Sequence, residues 1–176
     1  MSERVYNIIE RVDDLNSRTI DFVASLTGPQ LRTPCEDPEC DTVGDVVLHL
    51  VEGSRQVMGW ATATLGGATK APTATSEDDT DHGHAHPHAH AHGHGPVDTV
   101  AAIEVMREAW ISSVKMLRNL TDAQLDSVPE SAQGIADGNV TLAQILTQMM
   151  NHQEQHLIYM QTALKEAGET VPKAVG

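Results

Sequence analysis

The sequence predicts an all-α protein, a four-helix bundle with a long His-rich loop between its second and third helices. Three observations lead there. Four segments of about 20 to 28 residues each carry one apolar stripe at steps of three and four. Capping residues stand at helix starts, and glycine or proline at the ends. No stretch alternates apolar and polar residues as a half-buried strand does. Helices with one apolar stripe must bury it, and four of them do so most simply against each other.

The first helix is expected over residues 3–26, on the stripe Val5, Ile8, Ile9, Val12, Leu15, Phe22, Val23 and Leu26. Gly28 and Pro29 are read as its end. A loop over 30–41 follows, with Pro34, Pro38, Cys35 and Cys40. The second helix starts at Thr42, an N-cap with Asp45 three residues on. Its stripe is Val43, Val46, Val47, Leu50, Val57, Ala61 and Leu65, and Gly66-Gly67 stops it. The third begins after Gly95-Pro96 and carries Val100, Ile103, Val105, Met106, Trp110, Val114, Leu117 and Leu120. Thr121 and Gln124 form a capping box for a short turn over 122–127. The fourth starts at Thr141, boxed with Gln144, on Leu142, Ile145, Leu146, Met149, Leu157, Met160 and Leu164. Gly168 is expected just past its end.

Composition limits the function classes. The formal net charge is −14, from 25 Asp and Glu against 11 Lys and Arg in 176 residues. Neither nucleic acid nor an anionic membrane surface suits such a chain, because both need clustered cations. No apolar run reaches the ~18 residues of a membrane span, and the N-terminus does not read as a signal peptide. The expected setting is cytoplasmic, and the expected organisation is one domain over 1–176 with a low-complexity insertion at 68–95. Cys35 and Cys40 are expected to be reduced loop thiols, with a local disulfide or an accessory metal contact as the alternatives.

Ten histidines are the compositional oddity. Seven of them, His82, His84, His86, His88, His90, His92 and His94, alternate with Gly, Ala and Pro, downstream of Glu77, Asp78, Asp79 and Asp81. Flexible neighbouring imidazoles bind zinc, nickel or copper. The insertion has little to bury and is expected to be disordered when metal-free. It reads as a tolerated loop insertion, a metal reservoir feeding the bundle, or a charge switch driven by acidification.

The other three lie on expected bundle helices. His152 and His156, four residues apart, sit about 40° from each other on one helix face. His49 borders the inward stripe of the second helix, beside Val46 and Gly53. Histidines edging the inward faces of two helices are what a bundle-borne metal site needs, and a lone H-x-x-x-H pair also occurs as surface or packing. Glu154, between the pair, is expected to point away into solvent.

The run Thr42-Val-Gly-Asp-Val-Val-Leu-His49-Leu50, with Asn151-His152-Gln-Glu-Gln-His156 and Leu120-Thr-Asp-Ala-Gln-Leu-Asp126, resembles the DinB-like and mycothiol-dependent maleylpyruvate isomerase N-terminal superfamily. The resemblance covers nearly all of the chain outside the tract. It implies a bundle holding one divalent metal, usually zinc or nickel, on His49, His152 and His156. It also implies metal-dependent thiol transfer or isomerisation with mycothiol, bacillithiol or glutathione, and often a homodimer. Relatives often show Thr-Pro-Cys-x-x-Trp-Thr-Val before the first histidine. Here Thr33-Pro34-Cys35 leads into a longer loop without the Trp.

The leading expectation is therefore a metal-dependent thiol S-transferase or isomerase acting on a small thiol and an electrophile, with no catalytic acid or base assignable. A metal storage or delivery protein built on the tract, and a non-catalytic structural or regulatory bundle, are the alternatives.

Overall fold

A serine opens the first helix: the hydroxyl of Ser2 accepts from the backbone N–H of Val5, and α1 runs Glu3–Ser25. The computed structural model describes residues 1–65, 97–128 and 140–171, with the side chains of 56–65 excepted. The remaining helices are α2 (Gly28–Leu31), α3 (Val43–Leu65), α4 (Thr99–Leu117), α5 (Asp122–Leu125) and α6 (Leu142–Glu166). The described residues hold no strand, only an isolated bridge between Pro34 and Thr42. The expected bundle is thus four long helices with two short ones in the connections.

The capping signals act as the sequence implies. Thr42 donates its hydroxyl and its N–H to Asp45 Oδ2, at 2.7 and 3.0 Å, and its hydroxyl accepts from the Asp45 N–H. Thr121 with Gln124 and Thr141 with Gln144 form reciprocal boxes. Gly168 follows the C-cap of α6 at φ 71°, where a side chain would be strained.

Two local expectations are corrected. Gly28 and Pro29 do not merely end α1; they open α2, with the Thr27 N–H donating to the Gln30 side chain at 2.9 Å. Proline suits a first helical turn, which has no partner for its N–H. At α4 the cap is Asp98, whose carboxylate accepts from Val100 and Ala101, so Val100 faces outward at 66% exposed instead of joining the stripe. The expectations for residues 66–96, including the histidine tract and Gly95-Pro96, lie outside the described residues, as do the side chains of Val57, Ala61 and Leu65.

Burial forms two clusters, one toward each end of the bundle. One joins the starts of α3 and α4 (Val43, Val46, Ala102, Met106) to the ends of α1 and α6 (Phe22, Val23, Met160, Leu164). The other joins the starts of α1 and α6 (Val5, Ile9, Leu142, Leu146) to the end of α4 and to α5 (Leu117, Leu125). Hence α1 and α6 run one way, and α3 and α4 the other. α4 packs against α1 and α3, and α6 packs against the same two helices. Neighbouring parallel helices cannot be joined by a short turn. α3 is roughly 35 Å long, so its end and the start of α4 stand at opposite ends of the bundle. Trp110 packs against both clusters, and its indole N–H donates to Asp13 at 2.6 Å. No described helix is long and apolar enough to cross a membrane.

Candidate metal centre

His49 stands in the second turn of α3, and His152 and His156 stand one turn apart on α6. Because α3 packs against α6, the three rings meet. His152 Nε2 lies 3.1 Å from His49 Nε2 and 3.0 Å from His156 Nε2. Ligands about 2.0–2.1 Å from a tetrahedral zinc are separated by roughly 3.3 Å, so the nitrogens already stand near the edge length of such a site. Converging imidazole lone pairs repel unless a proton or a cation lies between them, and that donor set suits zinc or nickel.

A fourth donor comes from the α2–α3 loop. Glu39 Oε2 is 3.5 Å from His49 Nε2, and one donor atom from each of Glu39, His49, His152 and His156 lies within 4.8 Å of the others. Burial lowers the pKa of His49, aided by the neighbouring His156 and His152 and opposed by Glu39 and Asp37. His49 is thus held neutral with a lone pair to give, and its contact with Glu39 is not an ion pair.

Behind the donors lies Asp37. It is buried, and its side chain is wholly shielded from solvent. Its Oδ2 is 2.6 Å from His156 Nδ1, and its Oδ1 accepts from the Glu39 N–H at 2.8 Å. A carboxylate only accepts, so His156 carries its proton on Nδ1 and leaves Nε2 free to face His152. One buried side chain thus sets the tautomer of His156 and fixes the backbone of Glu39. The loop is itself closed by the Cys35 N–H donating to the Asp41 carbonyl at 2.9 Å.

The three helix histidines expected from the sequence are therefore brought together. Sequence reasoning missed Asp37 and Glu39. The only sign of them was two acidic residues in a loop read for its prolines and cysteines. Glu154 turns away from the histidines into a partly exposed position, as expected, and there it also pairs with Arg18 at 3.4 Å and Arg11 at 3.7 Å, tying α6 to α1. Cys35 and Cys40 are free thiols outside the donor group. Burial, with the nearby Asp37, Asp45 and Glu39 charges, pushes the Cys40 thiol up to about 12. The seven tract histidines lie outside the described residues.

On the other flank of the histidines a cavity of about 150 Å³ opens between the two apolar clusters. His49 and His152 line it, whereas His156 does not.

Over residues 1–175 the chain matches the family model described as DinB family. No curated protein and no solved structure matches it.

Proposed function

The chain belongs to the DinB family, and we propose that it is a metal-dependent enzyme acting through a low-molecular-weight thiol, as an S-transferase or isomerase. The observation that carries this is the convergence of His49 Nε2 and His156 Nε2 on His152 Nε2, at 3.1 and 3.0 Å, with an exposed carboxylate beside them. His49, His152 and His156 would hold one zinc or nickel ion, and Glu39 would fill the remaining position until substrate arrives. Such an ion lowers the pKa of a bound thiol, so that a thiolate is present near neutral pH.

The residues divide the work. His49, neutral by burial, and His156, oriented by Asp37, would supply neutral donors, so a bound ion would keep its full positive charge toward sulfur. Glu39 is exposed and loop-borne, so it can leave without disturbing a helix. The thiol would give its proton to solvent, and the freed sulfur pair would form a bond to an electrophilic carbon of the second substrate as a π bond or ring C–O bond at that carbon breaks, the displaced electron pair taking a proton from solvent. In a transfer that bond persists. In an isomerisation it forms, the carbon framework rotates, and elimination restores the thiol.

The test uses a full-length variant in which all seven tract histidines are Asn. After chelation and reloading it should retain one zinc or nickel ion per chain and consume a small thiol in the presence of an electrophile. His49→Ala and His152→Ala should each lose both properties. If tract replacement removes all bound metal, the histidine-rich segment is the binding element and the protein is a storage or delivery protein instead.

A further inference from the structure

We infer that the cavity beside His49 and His152 is a binding pocket for the uncharged, compact apolar part of a substrate whose polar head reaches the metal. The inference rests on the metal-site reading above and names the substrate class that this site would take.

Its lining is the first support. Leu50, Trp110, Met116, Met149 and Met150 form much of its wall, and among the described residues no Asp, Glu, Lys or Arg lines it. A carboxylate or phosphate buried in that wall, away from the metal, would meet no described cationic side chain, at a large desolvation cost. The charge of the chain, −14, adds to that penalty. Methionines give a soft, adaptable wall that accepts varied apolar shapes. The amides of Asn16 and Gln153, which also line it, contact one another at 3.4 Å, and Gln153 further donates to Thr19 at 3.3 Å. A volume of about 150 Å³ matches one aromatic ring or a branched chain of similar size.

Gly53 is the second and independent support. It lies one turn beyond His49 inside α3 and lines the cavity. Glycine within a helix is unfavourable relative to alanine. At Gly44 of the same helix the reason for it is plain, since a Cβ would lie 2.9 Å from the Leu31 carbonyl oxygen. At Gly53 no described atom stands within 4 Å of where a Cβ would be, so packing against the described residues does not require the glycine. The missing side chain instead leaves room next to a metal ligand.

The test loads cobalt(II) into the full-length chain whose tract histidines are Asn, and titrates thiols while following the sulfur-to-cobalt charge-transfer band. Thiophenol should bind at least about tenfold more tightly than 4-mercaptobenzoate, which places a carboxylate on the same ring. Gly53→Leu fills the space without a backbone clash. It should weaken thiophenol by about tenfold or more while changing hydrosulfide, which needs no pocket, by less than about twofold. Gly53→Ala should fall between. Equal affinity for the two aromatic thiols, or thiophenol binding indifferent to Gly53→Leu, overturns the inference while the metal site stands. Failure of cobalt to load overturns the metal reading instead. Ligand-detected NMR of toluene with the metal-free chain then decides the cavity alone: a signal lost in Gly53→Leu sustains it, and equal signals in both proteins overturn it.

Discussion

Replacing Asp37 with asparagine keeps volume and shape and removes only the acceptor pair that the site uses. In the native chain both carboxylate oxygens are engaged, one with His156 Nδ1 at 2.6 Å and one with the Glu39 N–H at 2.8 Å. An amide offers one acceptor and one donor. If its oxygen keeps Glu39, its NH₂ faces His156 Nδ1. The imidazole proton must then move to Nε2, the atom that faces His152. If the amide turns over, the Glu39 N–H loses its acceptor and the loop its anchor. Loss of such a ligand-orienting partner lowers metal affinity by about 10- to 100-fold, which is about 1.4 to 2.8 kcal/mol. The metal-free variant should lose about 1–3 kcal/mol of stability, small enough for a domain of ordinary stability, about 5–15 kcal/mol, to remain folded. Competition with a chromogenic chelator, in the background lacking tract histidines, measures the first quantity, and urea denaturation of the metal-free protein the second. A variant that binds zinc within about twofold of its parent would refute the tautomer argument, since the lost orientation should cost at least about tenfold.

Three further outcomes are expected. Glu39→Gln should weaken metal by roughly tenfold, less than loss of any one histidine, because three imidazoles still hold the ion; the same chelator competition ranks the variants. The folded-state pKa of His49 lies below its ordinary 6.5. The unfolded chain therefore binds more protons between those two values, and the metal-free protein should lose stability as pH falls below about 6.5, while the contribution is fully present above it. Denaturation of wild type and His49→Gln at pH 7.5, 6.5 and 5.5 checks this, the variant being the less pH-dependent of the two. The Cys40 thiol, held near 12, is almost wholly protonated at pH 8, so iodoacetamide should modify the partly exposed Cys35 first and Cys40 only after unfolding, as read by peptide mass mapping.

The sequence and the fold agree where the cause is local. Thr42, Thr121 and Thr141 cap helices because a hydroxyl and a carboxylate or amide three residues on close a local hydrogen-bonded ring, which short spacing reveals. His152 and His156 share a face for the equally local reason of helical pitch. Val100 was misjudged because stripe-reading assumes a full turn of helix before it, and Asp98 starts α4 only two residues earlier. Glu154 was judged from its own helix alone, while Arg11 and Arg18 reach it from α1. Asp37 was least legible of all. It meets His156 across 119 positions of sequence, from an irregular loop whose path no periodicity encodes. What could be read was the candidate donor set offered by the helices; what could not was the loop that orients it and adds Glu39.

The most direct test is the position of one metal ion. Crystals of the full-length chain with its tract histidines replaced by Asn, given one equivalent of zinc, should show a single anomalous peak bonded to the Nε2 atoms of His49, His152 and His156 at about 2.0–2.1 Å. A peak elsewhere, or none among these three residues, would contradict the account.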